Sequence, residues 1–216
     1  MTVTIQAVPT ANAGSSQAIC AGGSATLAGS ATNHSSVAWS GGAGSFNPNA
    51  TTLNAVYTPS AGEVTAGAVT LTLTAQPTAP CTNAATSTVT VTVNPQPSCA
   101  ITFDSGAAKG TVEASSVHTA SVPTATLPAT YAWVISDGSN NLITSTPPYG
   151  NTVTWQAPDA TATISVAVTV TDGNGCVCST DPPLRVQSIN AIPTLSLAGL
   201  VLFALLIALV VLRFVR

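Results

Sequence analysis

Five cysteines carry the most reactive side chains in this sequence: Cys20, Cys81, Cys99, Cys176 and Cys178. Thiols can form disulfides, ligate a metal or act as nucleophiles. Cys176-Val177-Cys178 places two sulfurs on one face of an extended chain, with Cys99 the nearest further candidate. A structural zinc site takes four ligands, so this set is too small for one. Asp172-Gly173-Asn174-Gly175 offers oxygen ligands in a turn, the kind of group that binds Ca²⁺. It lacks the acidic run of an EF-hand, and a plain β-turn accounts for it. Asp137, Asp159 and Asp181 are the acids clustered with Asp172, and nothing in their spacing selects a pair for hydrolysis. His34 and His118 stand far apart, each read as having neither a local nucleophile nor a second ligand. There is no Gly-x-Ser-x-Gly elbow and no phosphate-cradling glycine loop ending in Lys. The expectation is a non-enzymatic protein with no cofactor and no metal.

The elements that position these residues read as β-strands. Residues 68–74, 88–93 and 162–170 alternate apolar with polar or small residues, the period of a half-buried strand. Thr and Val dominate, as suits β-branched side chains on a pleated surface. Turn residues punctuate the strands: Gly41-Gly42, Asn47-Pro48-Asn49, Asp137-Gly138, Asn140-Asn141 and Pro147-Pro148.

The pattern occurs twice. In the first unit, Cys20-Ala21-Gly22-Gly23 opens a strand, followed by Trp39 and by Asn54-Ala55-Val56-Tyr57-Thr58-Pro59. In the second, Tyr131-Ala132-Trp133-Val134 precedes Asn151-Thr152-Val153-Thr154-Trp155-Gln156-Ala157-Pro158. Trp39, Tyr57, Trp133 and Trp155 are expected in the cores, with Phe46 and Phe103 as further core or edge anchors. Tyr149, after two prolines, is the best candidate for an exposed aromatic contact. On these landmarks the chain resembles the tandem Ig-like and PKD-like repeats of bacterial secreted and surface proteins. The resemblance implies an all-β fold of two tandem immunoglobulin-like β-sandwiches. The expected organisation is a leading strand at 1–8, remnant of a preceding repeat or donated to a neighbour; a first domain at 9–95; a second at 96–187; and a linker, motif and helix at 188–216. The Asn94-Pro95-Gln96-Pro97 link should be stiff. Cys20 and Cys81 bracket the first unit, and Cys99 and Cys176 the second. These pairs are the expected disulfides, with Cys178 left free, bridging subunits, or taking Cys99 in place of Cys176. Such bonds belong to the periplasm or cell exterior.

Charged residues make up 5% of the chain, against about 25% in ordinary soluble domains. Before the C-terminal arginines the only basic residues are Lys109 and Arg185, too few for a nucleic-acid-binding face. The C-terminal end differs from everything before it. Leu195 to Leu212 would span about 27 Å as a helix, close to the roughly 30 Å of a bilayer's hydrocarbon. Arg213 and Arg216 follow, and positive residues favour the cytoplasmic side, so the body should face outward.

Ile192-Pro193-Thr194-Leu195-Ser196, then Gly199, an apolar helix and terminal arginines, resembles the IPTL-type C-terminal sorting signal of Gram-negative envelope proteins. Where that family carries Glu and Trp after the Ser, this chain has Leu197 and Ala198. The resemblance implies two partners, the membrane and an exosortase-like processing peptidase, and release of the body to the cell surface. An outward-facing body needs an export signal, and MTVTIQAVPT is not one. The sequence is therefore expected to begin inside a longer precursor or to lack its leader. The expected role is a surface or extracellular spacer. The alternatives are a filament or sheath subunit assembled by strand addition or helix packing, and a carbohydrate-binding or adhesion module.

Overall fold

The computed structural model describes residues 5–104, 107, 110–137, 150–180 and 184–189. The IPTL motif, the apolar segment, Arg213, Arg216, Tyr149, Asp181, Lys109 and Thr2 to Thr4 lie outside the described residues. The described chain is all-β apart from one short helix.

Strands up to Asn94 pair among themselves. They are β1 (Thr10–Asn12), β2 (Gln17–Cys20), β3 (Ala25–Thr26), β4 (Ser30–Thr32), β5 (His34–Ser40), β6 (Ser45–Asn47), β7 (Val56–Thr58), β8 (Ala68–Pro77) and β9 (Ala85–Asn94). One sheet has the order β2-β9-β8-β5, a second β3-β7-β6, and β1 pairs with β4. Alternation decides the inward face. Val69, Leu71, Leu73 and Ala75 of β8 are buried, as are Val89, Val91 and Val93 of β9, while the intervening Thr residues face outward. Val69, Leu71, Leu73, Val89 and Val91 meet Trp39 from β5, Tyr57 from β7, and Ala25 and Leu27, closing a sandwich core. The helix α1 (Ala61–Ala66) sits between β7 and β8. Ser60 accepts from the Glu63 N–H while Glu63 accepts from the Ser60 N–H, and Gly67 ends the helix at φ 78°.

From Thr102 a second set forms: β10 (Thr102–Phe103), β11 (Thr111–Glu113), β12 (Val117–Ser121), β13 (Thr130–Ser136), β14 (Thr152–Gln156), β15 (Ala162–Thr171), β16 (Val177–Ser179) and β17 (Leu184–Ile189). One sheet runs β11-β17-β15-β13, with β16 also on β15, and the other β10-β12-β14. Ile164, Val166, Val168 and Val170 of β15 pack with Trp133 and Ile135 of β13 against Ala120, Val153 and Trp155 of the facing sheet.

The strand β17 corrects one expectation. The second unit is expected to end at 187, with the linker from 188. Instead Leu184–Ile189 pairs antiparallel with β15, Val186 opposite Ile164, and parallel with β11, Thr111 opposite Gln187. Leu184-Arg185-Val186-Gln187 has the apolar–polar alternation of such a strand.

Candidate functional site

Three side-chain clusters hold the reactive groups. The first is the pair of disulfides. Cys20 bonds Cys176, with Cα atoms 5.6 Å apart, and Cys99 bonds Cys178, at 5.9 Å. Cys81 is the free thiol, half-buried, its Sγ 3.7 Å from the Gln6 carbonyl oxygen. The expected Cys20–Cys81 pair is therefore wrong; of the two partners left open for Cys99 it takes Cys178 rather than Cys176, and the leftover thiol is Cys81 instead of Cys178. Geometry explains why. The strand β2 runs parallel to β9 and places Cys20 opposite Asn94. Strands β8 and β9 are antiparallel, with Ala75 opposite Ala85, so Cys81 in their connection lies at the other end of β9. A ten-residue strand separates those ends by about 30 Å, whereas a disulfide needs Cα atoms within about 7 Å.

Cys20 instead meets the turn after β15. Asp172 is buried there, and its Oδ1 accepts from the N–H groups of Asn174 (2.9 Å) and Cys176 (2.8 Å). The Asp172 N–H donates to the Cys176 carbonyl, and the Gly175 N–H to the Asp172 carbonyl, with Gly175 at φ 78°. The carboxylate considered for Ca²⁺ thus shapes the turn that presents Cys176. Among the described residues no three His, Cys, Asp or Glu side chains are grouped to hold a metal. Cys178 faces Cys99 from β16, where it lies opposite Val170.

The second cluster was missed in the sequence. His118 on β12 is buried, and its Nδ1 lies 3.0 and 3.2 Å from the two carboxylate oxygens of Asp104. Its Nε2 lies 2.7 Å from Ser116 Oγ. Trp155, opposite His118 in the pairing of β12 with β14, packs its ring 5.3 Å from the imidazole. Burial alone would raise the Asp104 pKa. The Ala107 and Thr119 N–H groups and the His118 ring outweigh it and hold the carboxyl below its ordinary range. Ser, His and Asp in this order have the connectivity of a nucleophile, base and orienting acid. The rest of such a site is committed elsewhere. The Ser116 hydroxyl donates to the Glu113 carbonyl, the Ser116 N–H donates to the same oxygen, and the Ser115 N–H donates to the Ala157 carbonyl. Neither local amide is left to stabilise an oxyanion. The trio acts as a latch between β10, the β11–β12 turn and β12. The signal that finds half of it is the two-residue spacing of Ser116 and His118, which puts both side chains on one side of an extended chain.

The third cluster surrounds Tyr57, which is fully buried. Its hydroxyl donates to the Glu63 carboxylate (2.8 Å to either oxygen) and accepts from the Gly44 N–H (2.9 Å). Burial, with Glu63 alongside, pushes the phenol up to about 12. Burial would raise Glu63 too, yet donation from the Ala43 and Ser60 N–H groups, Tyr57 and the Ser60 hydroxyl leaves it lowered. A Cβ at Gly42 would fall 2.1 Å from the Tyr57 hydroxyl oxygen, so glycine is required for this approach.

The remaining sequence candidates sit as follows. Trp39, Trp133 and Trp155 are buried in the two cores. Trp39 Nε1 donates to the Thr52 carbonyl and Trp133 Nε1 to the Gly150 carbonyl. Phe46 stacks at a tilt on Tyr57, 4.8 Å between centroids, and Phe103 is half-buried against the second core. Asp159 accepts from Ser115 Oγ at 2.5 Å. No helix among the described residues is long and apolar enough to cross a membrane.

No protein-family model matches the chain, and no curated protein matches it. Among solved structures it is similar to the extracellular cadherin domains 3–6 of protocadherin gamma B2 (TM-score 0.42, 9% identity, covering 84% of this chain and 47% of that one). It is also similar to immunoglobulin domains 1–4 of Sidekick-1 (TM-score 0.42, 12% identity, 88% and 51%). A third similarity is to the fibronectin(III)-like modules of Clostridium thermocellum CbhA (TM-score 0.32, 14% identity, 82% and 90%). The chain spans about half the length of the first two.

Proposed function

We propose that this protein is a non-enzymatic spacer of the cell surface or envelope, two Ig-like sandwiches exported and then anchored or sorted through the C-terminal apolar segment. The observation that carries the reading is the pair of disulfides, since such bonds persist in the periplasm and outside the cell. The low charge supports it, because a surface of hydroxyls and small side chains is little affected by salt. The proposed partners are the membrane and an exosortase-like peptidase that reads Ile192 to Leu195. In this reading the body lies outside and Arg213 and Arg216 lie in the cytoplasm before any cleavage.

Self-association by strand addition is the second reading. It is favoured by β13, which among the described residues has a strand partner on one side and exposes Val134.

The test is intact-mass analysis of protein recovered separately from cytoplasm, membrane and extracellular fractions. A surface species ending near Leu195 supports sorting. One that retains Arg216 replaces sorting with plain anchoring. Protein found fully reduced in the cytoplasm alone would overturn the reading.

A further inference from the structure

The Cys20–Cys176 bond joins residues 156 apart in sequence, one from each sandwich. Cys20 ends β2, the second of the described strands. Cys176 stands immediately before β16, the last but one of the described strands. Apart from Ala13 in the first and Val186 in the second, the buried residues of both sandwich cores fall between these two cysteines, as does the proline-limited link.

We infer that this bond is a covalent load bypass, which carries tension between the two ends of the chain past the bulk of both sandwich cores. Under oxidising conditions the shortest covalent path from the first residue to the last runs through residues 1–20, crosses the disulfide, and continues from Cys176. Everything from Ala21 to Gly175 hangs off that path as a closed loop. Of the described strands, only β1, β2, β16 and β17 lie on it. Tension can strip β2 from β9 and can pull β16 and β17 from β15, but it cannot draw out the paired strands β8 and β9, β12 and β14, or β13 and β15. The Cys99–Cys178 bond closes a loop nested almost wholly inside the first and does not shorten the path further. This inference deepens the spacer reading, on which the need to bear load rests. The connectivity itself does not depend on that reading.

The arrangement also explains the free thiol. A Cys20–Cys81 bond would have closed only the first unit and left the second, with the link, on the load path. Placing Cys20 beside Asn94 through parallel pairing brings it to the end of the first unit from which the second departs, where a partner in the second unit can reach it.

The experiment holds the full chain by its two ends in a single-molecule force instrument, in detergent, with and without reductant. The oxidised wild type is expected to gain about 510–560 Å of stretched length on reduction, from 156 residues at about 3.3–3.6 Å each. The oxidised Cys20→Ser/Cys176→Ser variant should already be longer than the oxidised wild type by roughly half that gain, because the remaining bond still spans 79 residues. The oxidised Cys99→Ser/Cys178→Ser variant should match the oxidised wild type. Stretched length reads covalent connectivity whether or not a variant folds. Equal lengths for the oxidised wild type and the Cys20→Ser/Cys176→Ser variant, or a longer Cys99→Ser/Cys178→Ser variant, would overturn the bypass. A protein with these lengths that never leaves the cytoplasm would keep the bypass and sink the spacer reading.

Discussion

Cys20 and Cys176 are 156 residues apart in sequence and 5.6 Å apart at Cα, and their bond ties the first β-sandwich to the second. Two consequences follow for stability. The bond closes a very long loop of the unfolded chain, and it makes the two units' unfolding interdependent.

Reduction should therefore destabilise the protein strongly. Loop-closure entropy gives each bond about 2–5 kcal/mol, with the longer Cys20–Cys176 loop at the upper end. Urea unfolding is expected to shift to a lower midpoint in reductant and to separate into two transitions. A single unshifted transition would show that the bonds contribute nothing.

Tyr57→Phe removes the one hydroxyl that links Gly44 to Glu63. It leaves the Gly44 N–H without its acceptor and the carboxylate with one donor fewer. The expected cost is about 1–3 kcal/mol, read as a lower urea midpoint with unchanged slope. Gly42→Ala drives a methyl into the same hydroxyl and should cost at least as much.

Acid should weaken both units. Glu63 and Asp104 each have a pKa lowered by folding. For such groups the unfolded chain takes up protons first, so their contribution is complete above the ordinary carboxylate range of about 4–4.5 and is lost as pH falls through their lowered values. The urea midpoint should be level from pH 7 to about 5 and fall below that. Glu63→Gln and Asp104→Asn should each flatten the fall while lowering the neutral-pH midpoint, since an amide cannot accept from all the same donors. A fall of unchanged steepness in both variants would remove these carboxylates from the account.

Thiol labelling gives a direct count. In the native, oxidised protein one cysteine should react with maleimide, slowly because Cys81 is half-buried, and peptide analysis should place the label there. A label at Cys178 would contradict the pairing.

Much of the fold was legible in the sequence because strand burial obeys a local rule. The alternation of 68–74, 88–93 and 162–170 appears as β8, β9 and β15, with the apolar residues inward. What was not legible depends on non-local pairing. Bracketing by landmarks paired Cys20 with Cys81, since nothing local announces that β2 lies parallel to β9 at the far end from Cys81. The same holds for Asp104. Ser116 and His118 share a side of the extended chain by their two-residue spacing, but Asp104 joins them only because β10 pairs with β12, Thr102 opposite Ser121. Asp172-Gly173-Asn174-Gly175 was legible as a turn; what only the structure adds is that the Asp172 carboxylate shapes it, accepting from the Asn174 and Cys176 N–H groups.

The most direct test of the central claim is peptide mapping of the protein from the outer fractions of the cell, digested without reductant. The account predicts linked peptides carrying Cys20 with Cys176 and Cys99 with Cys178, and an unlinked peptide carrying Cys81. A peptide linking Cys20 to Cys81, or five free thiols in that fraction, would contradict it.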